Sequence, residues 1–316
     1  MNNPLISVII PAYNASKFIR MTVESVLNQS YADFELIVVN DGSTDDTLYV
    51  LESINDRRIR IYSQVNKGQD AAFNYGYSLS IGEYIKFMDA DDVISKETLE
   101  IQLLALKKDN EKIAYGEWYR FFGSEPNQTD IKSPMSYWKD MDPMEFLIQD
   151  EDGPMLQCGI MLIPRHIIDK SGLWHEELIL YNDTEFFTRI ILNSKGIVFT
   201  KGAQLFYRSG LTTSLTSQNS RKYFESTFKA TGLLATNMLH FEDSKKVRKV
   251  IANIYFRRLY DMYPLFPDLA EKHIERIDYY GGSNLMIKSG AVYNLLCVIL
   301  GWRIAKRLLI LSRKFK

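Results

Sequence analysis

The strongest constraint on this chain is a rhythm in its first ninety or so residues. Short apolar, β-branched runs alternate with stretches of helical periodicity. "LISVIIP" (residues 5–11) is followed by "SKFIRMTVESVLNQ" (16–29), where Phe18, Ile19, Val23, Val26 and Leu27 recur at helical spacing and Ser16 offers an N-cap. "FELIVVN" (34–40) precedes "STDDTLYVLESI", which reads as a helix opened by Ser or Thr caps with acids in its first turn. "RIRIYS", "GQDAAFNYGYSLS" and "EYIKFMD" continue the series as strand, helix and strand. Strands separated by helices must pair in parallel through right-handed crossovers. Runs that are continuously apolar, and not alternating, fit a sheet covered on both faces.

Downstream the rhythm loosens. Residues 97–105 read as a helix, "KIAYGEWYRFFG" as a strand near Ala114, and 140–153 as acidic and turn-rich. "GIMLIP" (159–164) is a short strand, "NDTEFFTRIIL" (182–192) an amphipathic helix, and "IVFT" and "AQLFYR" two late strands. After residue 214 only helices are expected, over 223–241, 245–263 and 267–277. The chain therefore divides into an α/β domain, residues 1–215, with a mostly parallel sheet, and a helical appendage, residues 216–316. With 316 residues, 46% of them hydrophobic, such a chain buries a core without staples. Its two cysteines, Cys158 and Cys297, form no disulfide framework, and "MNNPLISVII" lacks a basic n-region, so a cytoplasmic protein is expected.

In an open parallel sheet, ligands bind beyond the carboxyl ends of the strands. Here the first strand runs into "PAYN", the second into "NDGSTDD" and the fourth into "DADD". Topology thus gathers three polar turns on one edge. Asp41 and Gly42 sit in a tight turn before a helix N-terminus, a place suited to ribose, base or phosphate. Tyr13 offers a stacking face. Asp89, Asp91 and Asp92 bring three carboxylates to one strand end, and a divalent cation bridging to substrate phosphates would relieve their repulsion. Each piece also has a plain structural reading: an ordinary turn and cap, a packed tyrosine, a solvated acidic loop.

Taken in order, residues 7–47 and "NKGQDAAFNYGYSLSIGEYIKFMDADD" (66–92) resemble the family 2 glycosyltransferases of the GT-A fold, closely to Asp92 and more loosely to Ser214. The resemblance implies inverting transfer of a sugar from a nucleotide diphosphate, usually a UDP-sugar, with Mg²⁺ or Mn²⁺. It implies that Pro11, Ala12 and Tyr13 line the base pocket, that Asp41 contacts the base, that Asp89 lies by ribose and metal, and that Asp91 is the metal ligand. It makes Asp183 of "NDTEFFTRI" the general base, where the residues alone suggest a helix cap. "YRSGLTTSLT" (207–216) resembles the family's mobile loop, with Arg208 a candidate for the donor phosphates. The implied acceptor is a growing bacterial surface polysaccharide or a lipid-linked oligosaccharide.

Three positions depart from the family pattern. Asn40 replaces an Asp before Asp41, Phe73 replaces an Arg that helps hold the donor, and Asn182 replaces a Glu before Asp183. Two alternatives stay open: a nucleotide-sugar binder without catalysis, and a phosphatase of the haloacid dehalogenase type using Asp89 as nucleophile.

Charge adds one more expectation. Net charge is −1, which does not suit a nucleic-acid binder, yet residues 301–316 hold six bases and no acid. In "AVYNLLCVILGWRIAKRLLILSRKFK" (291–316), helical spacing gathers Arg303, Lys306, Arg307, Arg313 and Lys314 on one side. Ile304, Leu308, Leu311 and Phe315 gather on the other, with Trp302 as aromatic anchor. The segment is too broken to span a bilayer but is suited to peripheral contact with the inner face of the cell membrane. The alternative is a helix that docks its apolar face on the appendage and leaves its bases in water.

Overall fold

The computed structural model describes residues 5–126, 134–151, 153–210, 220–287 and 290–314. Strands β1 (Ile6–Ala12), β2 (Phe34–Asp41), β3 (Ile59–Gln64) and β4 (Tyr84–Phe87) alternate with helices α1 (Ile19–Leu27), α2 (Thr47–Glu52) and α3 (Gln69–Leu79). These four strands are parallel, in the order β3-β2-β1-β4. Every residue of β1 and β2 is buried, as the unbroken apolar runs require of a sheet covered on both faces.

The second half is mixed. After β5 (Val93–Ile94), α4 (Thr98–Leu106) and β6 (Ile113–Phe121) come α5 (Pro143–Leu147), β7 (Met161–Pro164), α6 (Arg165–Ser171), α7 (Asn182–Leu192) and β8 (Ile197–Arg208). The full sheet runs β3-β2-β1-β4-β7-β6-β8-β5. β7 is antiparallel to both β4 and β6, and β5 is antiparallel to β8. β6 and β8 pair in parallel, so four of the seven strand pairings among the described residues are parallel, as expected of a mostly parallel sheet. The antiparallel pairings are those of β7 and β5, because a short apolar run encodes burial and not strand direction.

The two late strands expected from the sequence are one. β8 pairs Thr200 with Gly116 and then Gln204 with Glu117, so Lys201, Gly202 and Ala203 form a bulge in it. A Cβ at Gly116 would lie 2.3 Å from the Ala203 carbonyl oxygen, so glycine is required where the bulge crosses β6. Ser16 does not cap α1, whose first turn follows Phe18 without a side-chain cap, and α2 begins at Thr47, later than the Ser and Thr at 43–44 suggested.

The appendage contains α8 (Arg221–Phe241), α9 (Lys245–Met262), α10 (Pro267–Tyr279) and α11 (Ala291–Lys314). Ser220 and Ser244 cap α8 and α9 by accepting from the Tyr223 and Val247 amides. Leu234 and Met238 of α8 and Ile251, Tyr255 and Leu259 of α9 belong to the same apolar core as β1 and β4. The appendage is thus packed into the main body, and the boundary placed at residue 215 lies outside the described residues. Among the described residues no helix is long and apolar enough to cross a membrane.

One buried group contradicts the apolar reading of β4. Lys86 is wholly inaccessible, and its Nζ donates to Gln102 Oε1 at 2.9 Å and to the Met161 carbonyl at 3.3 Å. Burial lowers its pKa to about 7. The fold therefore favours the neutral amine. Between the unfolded pKa of ~10.4 and about 7, the unfolded chain binds a proton that the folded chain does not, so stability falls as pH falls through that window and is level below it. Lys86→Met removes this dependence. The parent is expected to gain on the order of 3 kcal/mol relative to Lys86→Met between pH ~7 and ~10. Thermal melting of both proteins across that range checks it, and parallel curves would contradict it.

Candidate active site

β1 lies between β2 and β4, so the direction in which strands are added reverses there, and in sheets of this kind ligands bind beyond the carboxyl end at such a point. β4 pairs with β1 only as far as Phe87 opposite Ile9, while β2 continues to Asn40 opposite Ala12. Pro11, which has no amide hydrogen, sits beyond the last β1–β4 pair and breaks no ladder there. Pro11 and Ala12 are buried at the strand end, and Tyr13 follows them with half of its surface (52%) exposed, leaving a ring face open.

The first two turns are bolted together. Asn14, with left-handed φ of 49°, accepts from the Thr44 amide at 2.8 Å and gives its own amide to Ser43 Oγ at 3.0 Å. Asp45 accepts from the Ser16 amide (3.1 Å) and from the Thr47 amide (3.0 Å) and hydroxyl. Burial opposes its ionisation, but these bonds outweigh it and hold the pKa down to about 2. Gly42 is required at its place: φ is +69°, and a Cβ would lie 2.8 Å from the Asn66 nitrogen.

Asp41 is buried under the third segment. Its Oδ1 accepts from Gln64 Nε2 (2.8 Å) and the Lys67 amide (2.9 Å), and its Oδ2 from the Gly68 amide (2.9 Å). An ionised carboxylate has about four acceptor sites, so Asp41 retains capacity for a donor from a base.

The start of α3 then connects every remaining part. Gln69 Nε2 donates to Asp89 Oδ1 at 2.6 Å. Asp70 Oδ1 accepts from Asn182 Nδ2, next to Asp183 at the N-terminus of α7. Residues 67–70 thus hold the Asp41 turn, the Asp89 turn and the Asp183 helix to one another. The sequence reading passed over Gln69 and Asp70, because a Gln and an acid in a first helical turn look like ordinary helix-start residues. Asp70 is nearly inaccessible, its Oδ2 has no hydrogen-bond partner, and burial followed by the charges of Asp183, Glu185 and Glu176 outweighs the Asn182 bond and pushes its pKa to about 7.

The three acids of the fourth turn are not equivalent. Asp89 and Asp91 are half-buried, whereas Asp92 is inaccessible and its Oδ1 accepts from the Arg208 amide at 2.9 Å. All three are pushed above the ordinary carboxylate range, in each case first by burial. Asp91 and Asp183 add to the effect at Asp89, Asp91 and Asp89 add to it at Asp92, and Arg208 offsets it at Asp91. Carboxylates that resist ionisation together fit a site that receives a cation. Among the described residues no group of three His, Cys, Asp or Glu is placed to hold a metal ion. A cation here would therefore take one or two carboxylates, Asp91 and Asp89, and complete its shell from phosphates and water, as Mg²⁺ commonly does.

Asp183 is half-buried in the first turn of α7, and its Oδ1 accepts from the Thr184 amide (2.6 Å) and hydroxyl (3.2 Å). Burial raises its pKa to about 6, against the opposing effects of Thr184 and Arg258. The preceding Tyr181 has a left-handed backbone, φ 68°, rare for a bulky residue. Arg258 of α9 braces it, donating to the Tyr181 hydroxyl at 2.7 Å with its guanidinium 4.0 Å from the ring centroid.

Two expectations meet a different environment. Arg208 is only 4% exposed, and its guanidinium donates to the Asp91 and Gly123 carbonyls between the rings of Phe18 and Phe121. It clasps the back of the acidic turn and is not presented to a phosphate. The loop that follows it, residues 211–219, lies outside the described residues. Phe73 is also fully buried, stacked on Trp174 (4.8 Å between centroids) and edge-on to Phe87 (5.1 Å). A charged Arg could not occupy that aromatic stack without a partner, so this position serves packing here.

A four-strand parallel half-sheet, extended by mixed strands and carrying its acidic turn beyond β4, is the GT-A architecture of a large class of glycosyltransferases. S. aureus TarS (residues 1–349), solved in complex with UDP, matches it with a TM-score of 0.63 at 20% identity over 87% of this chain and 88% of that one. The family model for glycosyl transferase family 2 matches residues 7–172, and the chain belongs to that family. An uncharacterized glycosyltransferase of Haemophilus influenzae is 33% identical over 66% of this chain and 81% of its own length. The chondroitin synthase of Escherichia coli is 45% identical over 34% of this chain, a stretch that makes up 16% of that enzyme. Membership removes the phosphatase reading of Asp89, whose turn follows the fourth strand and not the first.

Proposed function

We propose that the protein transfers a sugar from a UDP-sugar to an acceptor hydroxyl, with inversion at the anomeric carbon and with Mg²⁺ or Mn²⁺ as cofactor. The observation that carries this reading is the junction at residues 67–70, which ties together the Asp41 turn, the Asp89 turn and Asn182, the neighbour of Asp183, at one edge of the sheet. The nucleotide base lies against Pro11, Ala12 and the open ring of Tyr13, with Asp41 accepting from it. Asp91, with Asp89 beside it, holds the cation. When bound, the cation neutralises charge growing on the leaving diphosphate. Asp183 takes the proton of the acceptor hydroxyl from the opposite side of the anomeric carbon. The acceptor belongs to a bacterial surface polysaccharide or a lipid-linked oligosaccharide. The chondroitin and hyaluronan synthases among the relatives, and the TarS complexes with UDP and UDP-GlcNAc, support this choice of donor and product.

A panel of UDP-sugars incubated with the protein and Mn²⁺, read as release of UDP, tests the proposal. One donor is expected to be hydrolysed slowly without acceptor, and a chelator is expected to stop it. Calorimetric binding of a UDP-sugar with neither hydrolysis nor transfer would instead identify a silent binder, the reading that Phe73 in place of Arg favours. No binding of any UDP-sugar would overturn both.

A further inference from the structure

Helix α11 does not divide its residues between inside and outside quite as its spacing suggests. The face turned to the appendage is made by Tyr293, Trp302, Ala305 and Lys306. Tyr293 and Ala305 are buried, and the Trp302 ring lies 5.3 Å from Phe256 and 5.2 Å from Tyr263. Lys306 Nζ lies 4.3 Å from the Tyr260 ring centroid and donates to the Tyr260 and Asp261 carbonyls. The tryptophan and one of the bases that an interfacial helix would send outward are therefore spent on packing.

What remains outward is apolar. Val292 (75% exposed), Leu295 (60%), Val298 (73%) and Ile299 (66%) stand free before a break at Gly301, whose φ of 77° and ψ of 155° are not helical. Ile304, Leu308 and Leu311 continue the exposure beyond the break. Soluble proteins seldom expose a contiguous apolar strip of this kind unless something covers it. Beside it stand the exposed Arg303 and Arg307, in a sixteen-residue segment with six bases and no acid.

We propose that the outward face of α11 lies in the interfacial region of a membrane leaflet that carries acidic lipid. Both halves of the surface point to this occupant. The apolar strip needs a hydrocarbon boundary, and the exposed Arg303 and Arg307 beside it favour anions at the same level, which acidic headgroups supply. A second copy of this chain satisfies only the first need, since pairing α11 with itself would set one basic segment against another. A span is not in question: residues 291–300 make about 15 Å of helix, half of a ~30 Å hydrocarbon core.

The test is co-sedimentation of the full chain with vesicles of phosphatidylcholine alone and of phosphatidylcholine with phosphatidylglycerol, at low and high salt. The parent is expected to bind the acidic vesicles about tenfold or more tightly than the neutral ones, and to lose that preference in high salt. The double variant Val298→Glu, Ile299→Glu is expected to bind at least tenfold more weakly at an unchanged melting temperature, since both side chains are exposed. Arg303→Gln with Arg307→Gln is expected to lose the preference for acidic lipid. The proposal is overturned if the parent stays in the supernatant with both vesicle types at low salt, or if the double glutamate variant sediments like the parent. It is equally overturned if the parent is a lipid-free dimer that those glutamates dissociate. Retained UDP-sugar hydrolysis in the double variant separates this result from the fate of the proposed chemistry.

Discussion

Replacing Asp183 by Asn is expected to leave binding of the nucleotide sugar nearly unchanged and to lower turnover by roughly two to four orders of magnitude, the usual scale of general acid–base catalysis. The amide oxygen of Asn can keep the bonds that Asp183 Oδ1 accepts from Thr184, so the start of α7 should hold its place. What the amide cannot do is take a proton. The pH profile separates this role from a merely structural one. Burial raises the Asp183 pKa to about 6, and a general base works only when ionised. Turnover of the parent should therefore rise as pH climbs through about 6 and level off above it, whereas the variant should lack that limb. Steady-state rates across the range, with KM and kcat separated, measure both effects. A variant that turns over at the parent's rate would leave Asp183 as an anchor for the helix alone.

Asp91→Ala is expected to abolish the dependence of donor binding on the divalent cation. With the parent, Mn²⁺ should tighten calorimetric binding of UDP by at least about tenfold, because one carboxylate-held cation neutralises the diphosphate directly. With Asp91→Ala, titrations with and without Mn²⁺ should coincide. Asp92→Asn is the informative control. Asp92 is sealed behind the turn and accepts from the Arg208 amide, a bond that an amide oxygen can also accept. That variant should keep the Mn²⁺ effect. If instead Asp92→Asn loses it and Asp91→Ala does not, the ligand has been assigned to the wrong carboxylate.

The parts of the molecule written in local pattern were legible from sequence. Unbroken β-branched runs with helices between them specify parallel strands, and topology then brings "PAYN", "NDGST" and "DADD" to one edge. The helix at 182–192 has a strong apolar periodicity, and the structure places it over the same residues. What could not be read depends on partners distant in sequence. β5 has two residues, too few for a pattern, and exists because β8 lies beside it. Lys86 sits in an apolar strand because Gln102 and the Met161 carbonyl receive it. The inward face of α11 is set by where the aromatic rings of α9 lie, which draw Trp302 and Lys306 inward, while Ile304, Leu308 and Leu311 face outward together as their spacing suggests. Gln69 and Asp70 show the same limit within the site. Their residue types suggest a helix start, and only the fold reveals that their side chains reach Asp89 and Asn182.

Helix α9 links the proposed membrane face to the proposed base. Trp302 rests on its Phe256 and Tyr260, and between those two positions Arg258 grips Tyr181, one residue from the segment that presents Asp183. A single turn of helix thus stands between the surface that α11 offers and the start of α7, where Asp183 lies. With α11 seated on a leaflet and Asp183 as the base, both as proposed above, that turn would work as a caliper: it would fix the elevation at which a hydroxyl is activated. Acceptors anchored in the same leaflet would be sorted by how far their reactive end stands above the headgroups. Those too short to reach, or already grown past the mark, would go unextended, so chain length could be measured without any pocket that counts sugars.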